Sequence, residues 1–218
     1  RNTVKVHDDA DLTMAAPLGC GVQTGAGTVL RSMNAKSGRA LAVFGAGSVG
    51  LSAVMGAVIA GCNPIIVVEP VAARRELALE LGATHAIDPA AGDTPEAIRA
   101  IVARGVDYAV ETTAVEPVFM AALASLATHG EMSSLGVPRD PESTFTHSML
   151  GLVGSGATIK GVIEGDTDPD TFIPELLAYY ESGKLPVHKL VRTYPFEQIN
   201  KAIDDQLAGM VVKPVLTF

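Results

Sequence analysis

The segment Leu41-Ala-Val-Phe-Gly45-Ala-Gly47-Ser-Val-Gly50 constrains this chain more than any other. Three glycines in the pattern Gly-x-Gly-x-x-Gly join a short apolar run to a stretch of small residues with helical character, Ser48–Gly61. Gly45 permits a tight turn, Gly47 keeps a side chain out of the way of an approaching diphosphate, and Gly50 lets helix and strand pack closely. The next apolar run, Pro64–Glu69, is β-branched, as a buried parallel strand would be. It ends on the carboxylate Glu69, 19 residues after Gly50. The combination predicts a strand–helix–strand unit that cradles a dinucleotide. The amides of Ser48 and Val49 would face the diphosphate from the positive end of the helix. Glu69 would accept hydrogen bonds from the adenosine ribose hydroxyls. It would repel a 2′-phosphate by about 4 kcal/mol at 4 Å and an effective dielectric of 20. Arg74 and Arg75 pull the other way, but Glu69 is better placed, so NAD is expected over NADP.

The alternation continues beyond this unit. Helices are expected at Ala72–Leu81, stopped by Gly82, at Thr94–Ala103 with Thr94 as cap, and at Pro117–Ala127. Strands are expected at Ala86–Ile87, Val106–Val110, Gly130–Gly136 and Ala157–Val162. Strands separated by helices of about ten residues imply a parallel sheet with right-handed crossovers. The fold class read from this is α/β, a doubly wound six-stranded parallel sheet of the Rossmann type. The tail reads differently: helix at Pro169–Ser182, strand at Leu190–Tyr194, helix at Phe196–Leu207, and a strand at Val211–Leu216 that Pro214 confines to an edge. Leu12–Met33, rich in glycine and other small residues, reads as close-packed helix and turn.

With 48% hydrophobic and 18% charged residues, the 218-residue chain can bury a sizeable core. Its net charge of −8 and lack of a basic stripe argue against nucleic acid and acidic membranes as partners. The longest apolar stretch, Val49–Cys62, is too short to span a bilayer. Two cysteines, Cys20 and Cys62, make no disulfide framework and no secretory signal is visible, so a cytoplasmic setting is expected. Cys62, after the glycine that ends the first long helix, reads as packing. The five histidines show no ligand spacing and read as surface or capping residues.

Leu18-Gly-Cys20-Gly-Val-Gln-Thr24-Gly-Ala-Gly27 resembles the segment that carries a catalytic zinc ligand in the zinc-dependent medium-chain alcohol dehydrogenases. Glu80-Leu-Gly-Ala-Thr84, Gly105-Val-Asp-Tyr108, Leu135-Gly-Val-Pro138 and Val215-Leu-Thr-Phe218 fit the same family, and Gly21-Val-Gln-Thr-Gly-Ala-Gly27 with Thr84-His85 resembles its aryl- or benzyl-alcohol dehydrogenases. The resemblance implies Cys20 as a zinc ligand and Thr24 near the nicotinamide amide. It places Thr112 and Thr113 beside the cofactor ribose. It assigns the carboxamide to the backbone of Leu135, Gly136 and Val137, and sets Lys213 near the diphosphate. With the motif, the expected cofactor contacts are Thr24, Gly45, Gly47, Ser48, Val49, Gly50, Glu69, Arg74, Thr112, Leu135, Gly136, Val137 and Lys213, with Cys20 for the metal. Thr158–Gly165 resembles the edge strand that pairs across a twofold axis, implying a homodimer or homotetramer.

The resemblance also implies a division of the chain. Residues 1–23 would be a remnant of the catalytic domain with its zinc-ligand segment, 24–163 the NAD-binding domain, and 164–218 the C-terminal part of the catalytic domain. The GroES-like part that holds the other zinc ligands is expected to be missing from this chain. The implied reaction is NAD-dependent oxidation of a primary or aromatic alcohol to an aldehyde, assisted by catalytic Zn2+, with this chain inactive alone. Two alternatives remain: a zinc-free quinone or enone reductase of the same superfamily, and a nucleotide-binding Rossmann module without catalysis.

Overall fold

The computed structural model describes residues 3–218. Six parallel strands form one sheet: β1 (Leu41–Phe44), β2 (Ile65–Val68), β3 (His85–Ile87), β4 (Val106–Glu111), β5 (Leu126–Ser134) and β6 (Thr158–Gly161), in the order β3-β2-β1-β4-β5-β6. This is the doubly wound order in which the strand sequence reverses beside β1, opening a crevice at the carboxyl ends of β1 and β4. The central strands are buried on both faces, which is why LAVF and IIVV carry no polar alternation. Leu41, Val43 and Val67 face one core, while Ala42, Phe44, Ile66 and Val68 face the other.

The first core is filled by three helices: α2 (Gly21–Gly27), α3 (Ser48–Ala60) and α8 (Pro169–Glu181). A four-residue helix, α1 (Leu12–Ala15), capped by Asp11, and a 3₁₀ turn at Ala16–Gly19 lead into α2, which continues as a π-helical turn through Ser32. Helices α2 and α3 nearly touch along their backbones. A β-carbon on Gly25 would lie 2.1 Å from the Val49 carbonyl oxygen, and one on Gly56 3.0 Å from the Ala26 Cα. The glycine-rich composition of Leu12–Met33 is the cost of that approach, since any side chain there would push the helices apart. The second core is covered by α5 (Thr94–Ile101) and α6 (Glu116–Ala124), while α4 (Ala72–Glu80) packs on the first. Beyond the sheet, α8 leads to a two-stranded parallel sheet, β7 (Val191–Pro195) and β8 (Lys213–Thr217), joined by α9 (Ile199–Leu207).

Several boundaries differ from expectation for definable reasons. Asp93, not Thr94, caps α5, its carboxylate accepting from the Glu96 amide at 2.8 Å. Helix α6 stops at Ala124 because β5 already begins at Leu126, directed by the Val106 amide bonding the Ser125 carbonyl. A helix not read from the sequence, α7 (Met149–Ser155), precedes β6 and is capped by Ser148. The edge strand ends at Gly161 instead of reaching Gly165. Glu164, Gly165 and Asp166 all take positive φ values (50°, 69° and 53°) and form a 3₁₀ turn folded against α2. No helix among the described residues is long and apolar enough to cross a membrane.

Candidate functional site

The glycine loop between β1 and α3 follows the chemistry of its residues. Gly45 has φ +95°, and a β-carbon there would meet Thr112 Oγ1 at 2.5 Å. A β-carbon on Gly50 would sit 1.8 Å from the Gly45 carbonyl oxygen, so only glycine allows α3 to start so close to β1. At Gly47 the opposite holds: its β-carbon would meet nothing within 4 Å, and the space above it is open. No side chain caps α3 and no acidic residue lies in its first turn. The amides that begin this 13-residue helix are thus left without a side-chain partner beside the open space at Gly47, as an anion site at a helix N-terminus requires.

Glu69, at the end of β2, is only 4% exposed. Its Oε2 accepts from the Ala46 amide at 2.7 Å and its Oε1 from the Val71 amide at 3.0 Å, which ties the loops after β1 and β2 together. A carboxylate holds more acceptor sites than two amides use. The remainder faces a cavity of about 750 Å³ whose walls include Phe44, Val68, Pro89, Thr94, Val118 and Arg139. Arg74 lines the same cavity, and its Nε is buried with no partner among the described residues. Arg75 is committed elsewhere: Nη1 donates to the Glu69 and Pro70 carbonyls at 2.7 Å, and Nη2 pairs with Asp88 at 3.0 Å. A largely apolar cleft with one carboxylate and two guanidinium groups, one with an unpartnered Nε, suits an adenosine with its ribose hydroxyls.

On the far side of the crevice, Thr112 Oγ1 donates to the Phe44 carbonyl at 2.8 Å, latching β4 to β1. A second carboxylate, Glu111, is fully buried. It accepts from the Thr113 amide and hydroxyl at 2.6 Å and from the Ala114 amide at 3.2 Å. The sequence reading overlooked it, although its place at the end of β4 mirrors that of Glu69 on β2. Gly136 brings the loop after β5 against this one; a β-carbon there would lie 2.3 Å from the Ala114 amide nitrogen. The Leu135 amide bonds the Glu111 carbonyl at 2.8 Å, and Val137 is 88% exposed beside it.

Cys20 directly precedes α2 and is exposed, so it is not a buried core thiol. The adjoining Gly21 lies against the start of α3, where its β-carbon would approach Ser48 Oγ at 3.0 Å and Val49 Cγ2 at 3.7 Å. Cys20 and the glycine loop are therefore neighbours. One turn on, Thr24 Oγ1 donates to Glu164 Oε2 at 3.2 Å. Cys62 is buried, and burial followed by the nearby Asp107 charge pushes its thiol up to about 11, as a packing residue requires. Lys213, half-buried at the start of β8, has no ion-pair partner among the described residues. Its strand packs beside the turn that precedes Cys20. The structure thus gathers Gly45, Gly47, Ser48, Val49, Gly50, Glu69, Arg74 and Thr112 around one crevice. Among the described residues no three His, Cys, Asp or Glu side chains converge on a metal-sized point.

A sequence profile described as zinc-binding dehydrogenase matches residues 48–180. The chain belongs to that family. It is 44% identical over 218 residues to the geraniol dehydrogenase of Castellaniella defragrans, covering 100% of this chain and 58% of that protein. Among solved structures, an alcohol dehydrogenase zinc-binding domain protein from Burkholderia ambifaria superposes with a TM-score of 0.96 at 45% identity, over 99% of this chain and 58% of the other. The benzyl alcohol dehydrogenase of Acinetobacter calcoaceticus gives 0.96 at 39% identity, over 99% and 59%. The chain spans under three-fifths of the length of each of these relatives.

Proposed function

We propose that this chain is the cofactor-binding part of an NAD-dependent alcohol oxidoreductase acting on a primary or aromatic alcohol. The carrying observation is the Gly45–Gly50 crevice: a 13-residue helix with a bare N-terminus, an opening over Gly47, and Glu69 beside a cavity large enough for adenosine. The names of the geraniol and benzyl alcohol dehydrogenases support the substrate class. NAD, when bound, supplies the hydride acceptor. The residues of the chain position it. The amides of Ser48 and Val49 hold the diphosphate, Glu69 and Arg74 the adenosine ribose, and Phe44, Val68 and Val118 enclose the adenine. Leu135, Gly136 and Val137 line the nicotinamide end with Thr24, and Lys213 faces the diphosphate.

Among the described residues no cluster of ligands completes a zinc site. Cys20 is one exposed thiol, and a catalytic zinc needs three protein ligands. In this reading Cys20 joins ligands from outside these residues, and the chain alone oxidises no alcohol. The free edge of β6, flanked by the exposed side chains of Met149, Leu150, Val153 and Ile163, is the proposed pairing strand of a homodimer. Calorimetric titration of the 218-residue chain with NAD and NADP tests the cofactor assignment. Saturable NAD binding, weakened in Glu69→Ala with a narrower gap to NADP, is expected. No NAD binding at millimolar concentration, or an unchanged preference in the variant, overturns it.

A further inference from the structure

A carboxylate on the turn after β6, Glu164, reaches back to α2 and has no ion-pair partner among the described residues. Glu164 Oε2 accepts from Gln23 Nε2 at 3.1 Å and from Thr24 Oγ1 at 3.2 Å, both on α2. No cation lies within ion-pair distance of it among the described residues. The hollow it shares with Gln23 has otherwise uncharged walls, among them Val4, Leu12 and Ile173. Gln23 is 1% exposed, and its Oε1 is buried without a partner. The local surroundings are thus an orphaned carbonyl oxygen and an unpaired carboxylate, which together set a negative potential.

The backbone holds this arrangement against its own preference. Glu164 is a non-glycine residue at φ +50°, and such strain persists only where the surroundings over-determine it. Here they do. Gly165 packs so tightly on α2 that a β-carbon would fall 2.7 Å from both the Gln23 carbonyl oxygen and the Gly27 Cα. Thr167 Oγ1 donates to the Glu164 carbonyl at 2.8 Å. Asp166 is fastened by Lys160 at 2.6 Å and by Ser32 at 2.7 Å.

Thr24 stands one turn beyond Cys20, and α2 begins against Ser48 and Val49. A dinucleotide with its diphosphate over the loop and its adenosine toward Glu69 would extend its nicotinamide to this side of the strand-order reversal. The oxidised ring carries a positive charge, and the reduced ring does not. We infer that Glu164 is a positioning residue that biases the site toward the oxidised cofactor: its charge favours the nicotinamide cation, and its hydrogen bond fixes the Thr24 hydroxyl as an acceptor for the carboxamide NH2. The inference rests on the proposed NAD site. A carboxylate within about 4 Å of the ring would shift the relative affinity of the two redox forms by about tenfold.

The test measures dissociation constants of NAD+ and NADH for the chain and its variants, with circular dichroism reporting folding. Glu164→Gln keeps both acceptor contacts and removes the charge. It is expected to weaken NAD+ about tenfold while leaving NADH within about twofold. Glu164→Asp, which keeps the charge and tolerates positive φ better, should preserve the wild-type ratio within about twofold. Thr24→Val should weaken both forms equally, and this holds whether or not the Glu164 variants fold. An equal loss of both forms in Glu164→Gln overturns the charge assignment. So does a changed ratio in Thr24→Val. Wild-type chain that binds neither form overturns the cofactor reading itself, whereas binding with an insensitive ratio overturns only the role of Glu164.

Discussion

The two carboxylates that end β2 and β4 occupy equivalent places in the two halves of the sheet, and the structure uses them in opposite ways. Glu111 is wholly enclosed and accepts from the amide and hydroxyl of Thr113 and from the Ala114 amide, three donors of one loop, with no cavity beside it among those described. Glu69 spends two lone pairs on Ala46 and Val71 and turns the rest toward an open cleft. One latches a loop, and the other latches a loop while leaving capacity for a ligand. The glycines of the first half divide in the same way. Gly50 is required by contact, with the Gly45 oxygen 1.8 Å from its missing β-carbon, while Gly47 is bare toward empty space. Burial and strand-end position therefore do not separate the two carboxylates; access to a cavity does, and it is what makes Glu69 the proposed ligand contact.

That contrast can be broken by measurement. Gly50→Ala is expected to cost about 3 kcal/mol or more, because backbone on both sides cannot yield, read as a lower midpoint in urea unfolding. Glu111→Ala leaves buried donors without acceptors and should cost about 2–3 kcal/mol in the same assay. It should leave the affinity of the remaining folded chain for NAD within about threefold. Glu69→Ala is expected to cost only about 1 kcal/mol of stability but about tenfold in NAD affinity. Gly47→Ala should be the sharpest case, with stability within about 0.5 kcal/mol of wild type and NAD binding reduced about tenfold, since its methyl group enters only the ligand's space. A Gly47→Ala variant that binds NAD normally would remove the diphosphate from that opening.

The cysteines extend the comparison at the small end. Exposed Cys20 should react with a thiol reagent in the folded chain, and buried Cys62 only after unfolding. Burial raises the Cys62 thiol from 9.0 to about 11, so the folded state holds its proton where the unfolded state releases it. This contribution to stability is complete below pH 9 and is lost as the pH rises toward about 11. Cys62→Ala should flatten that part of the stability profile.

Much of the first half was legible from residue order. The run LAVF, the spaced glycines, the helix ending at Gly61 and the run IIVV obey local rules, and the structure reproduces them to within one residue. Legibility fell where a choice depended on distant chain. The end of α6 and the start of β5 are set by pairing with β4, and the early end of β6 by the packing of Gly165 on α2. Glu111, Arg139 and Glu164 carry no motif. Glu164 lies 140 residues from the threonine it binds, and Arg139 reaches the cavity beside Glu69 from a loop after β5. A pairing of Asp93 with Glu96 was available in the sequence as an acidic cap, and Thr94 beside it obscured the signal.

Sequence alone determined that this chain must build a doubly wound parallel sheet with a glycine turn before its first long helix, because periodicity, β-branching and glycine spacing act over a few residues. Tertiary structure alone decided which of its carboxylates are spent and which are free. Hydrogen-bond saturation depends on which amides the folded chain brings within 3 Å, and that is a property of packing between elements far apart in the sequence.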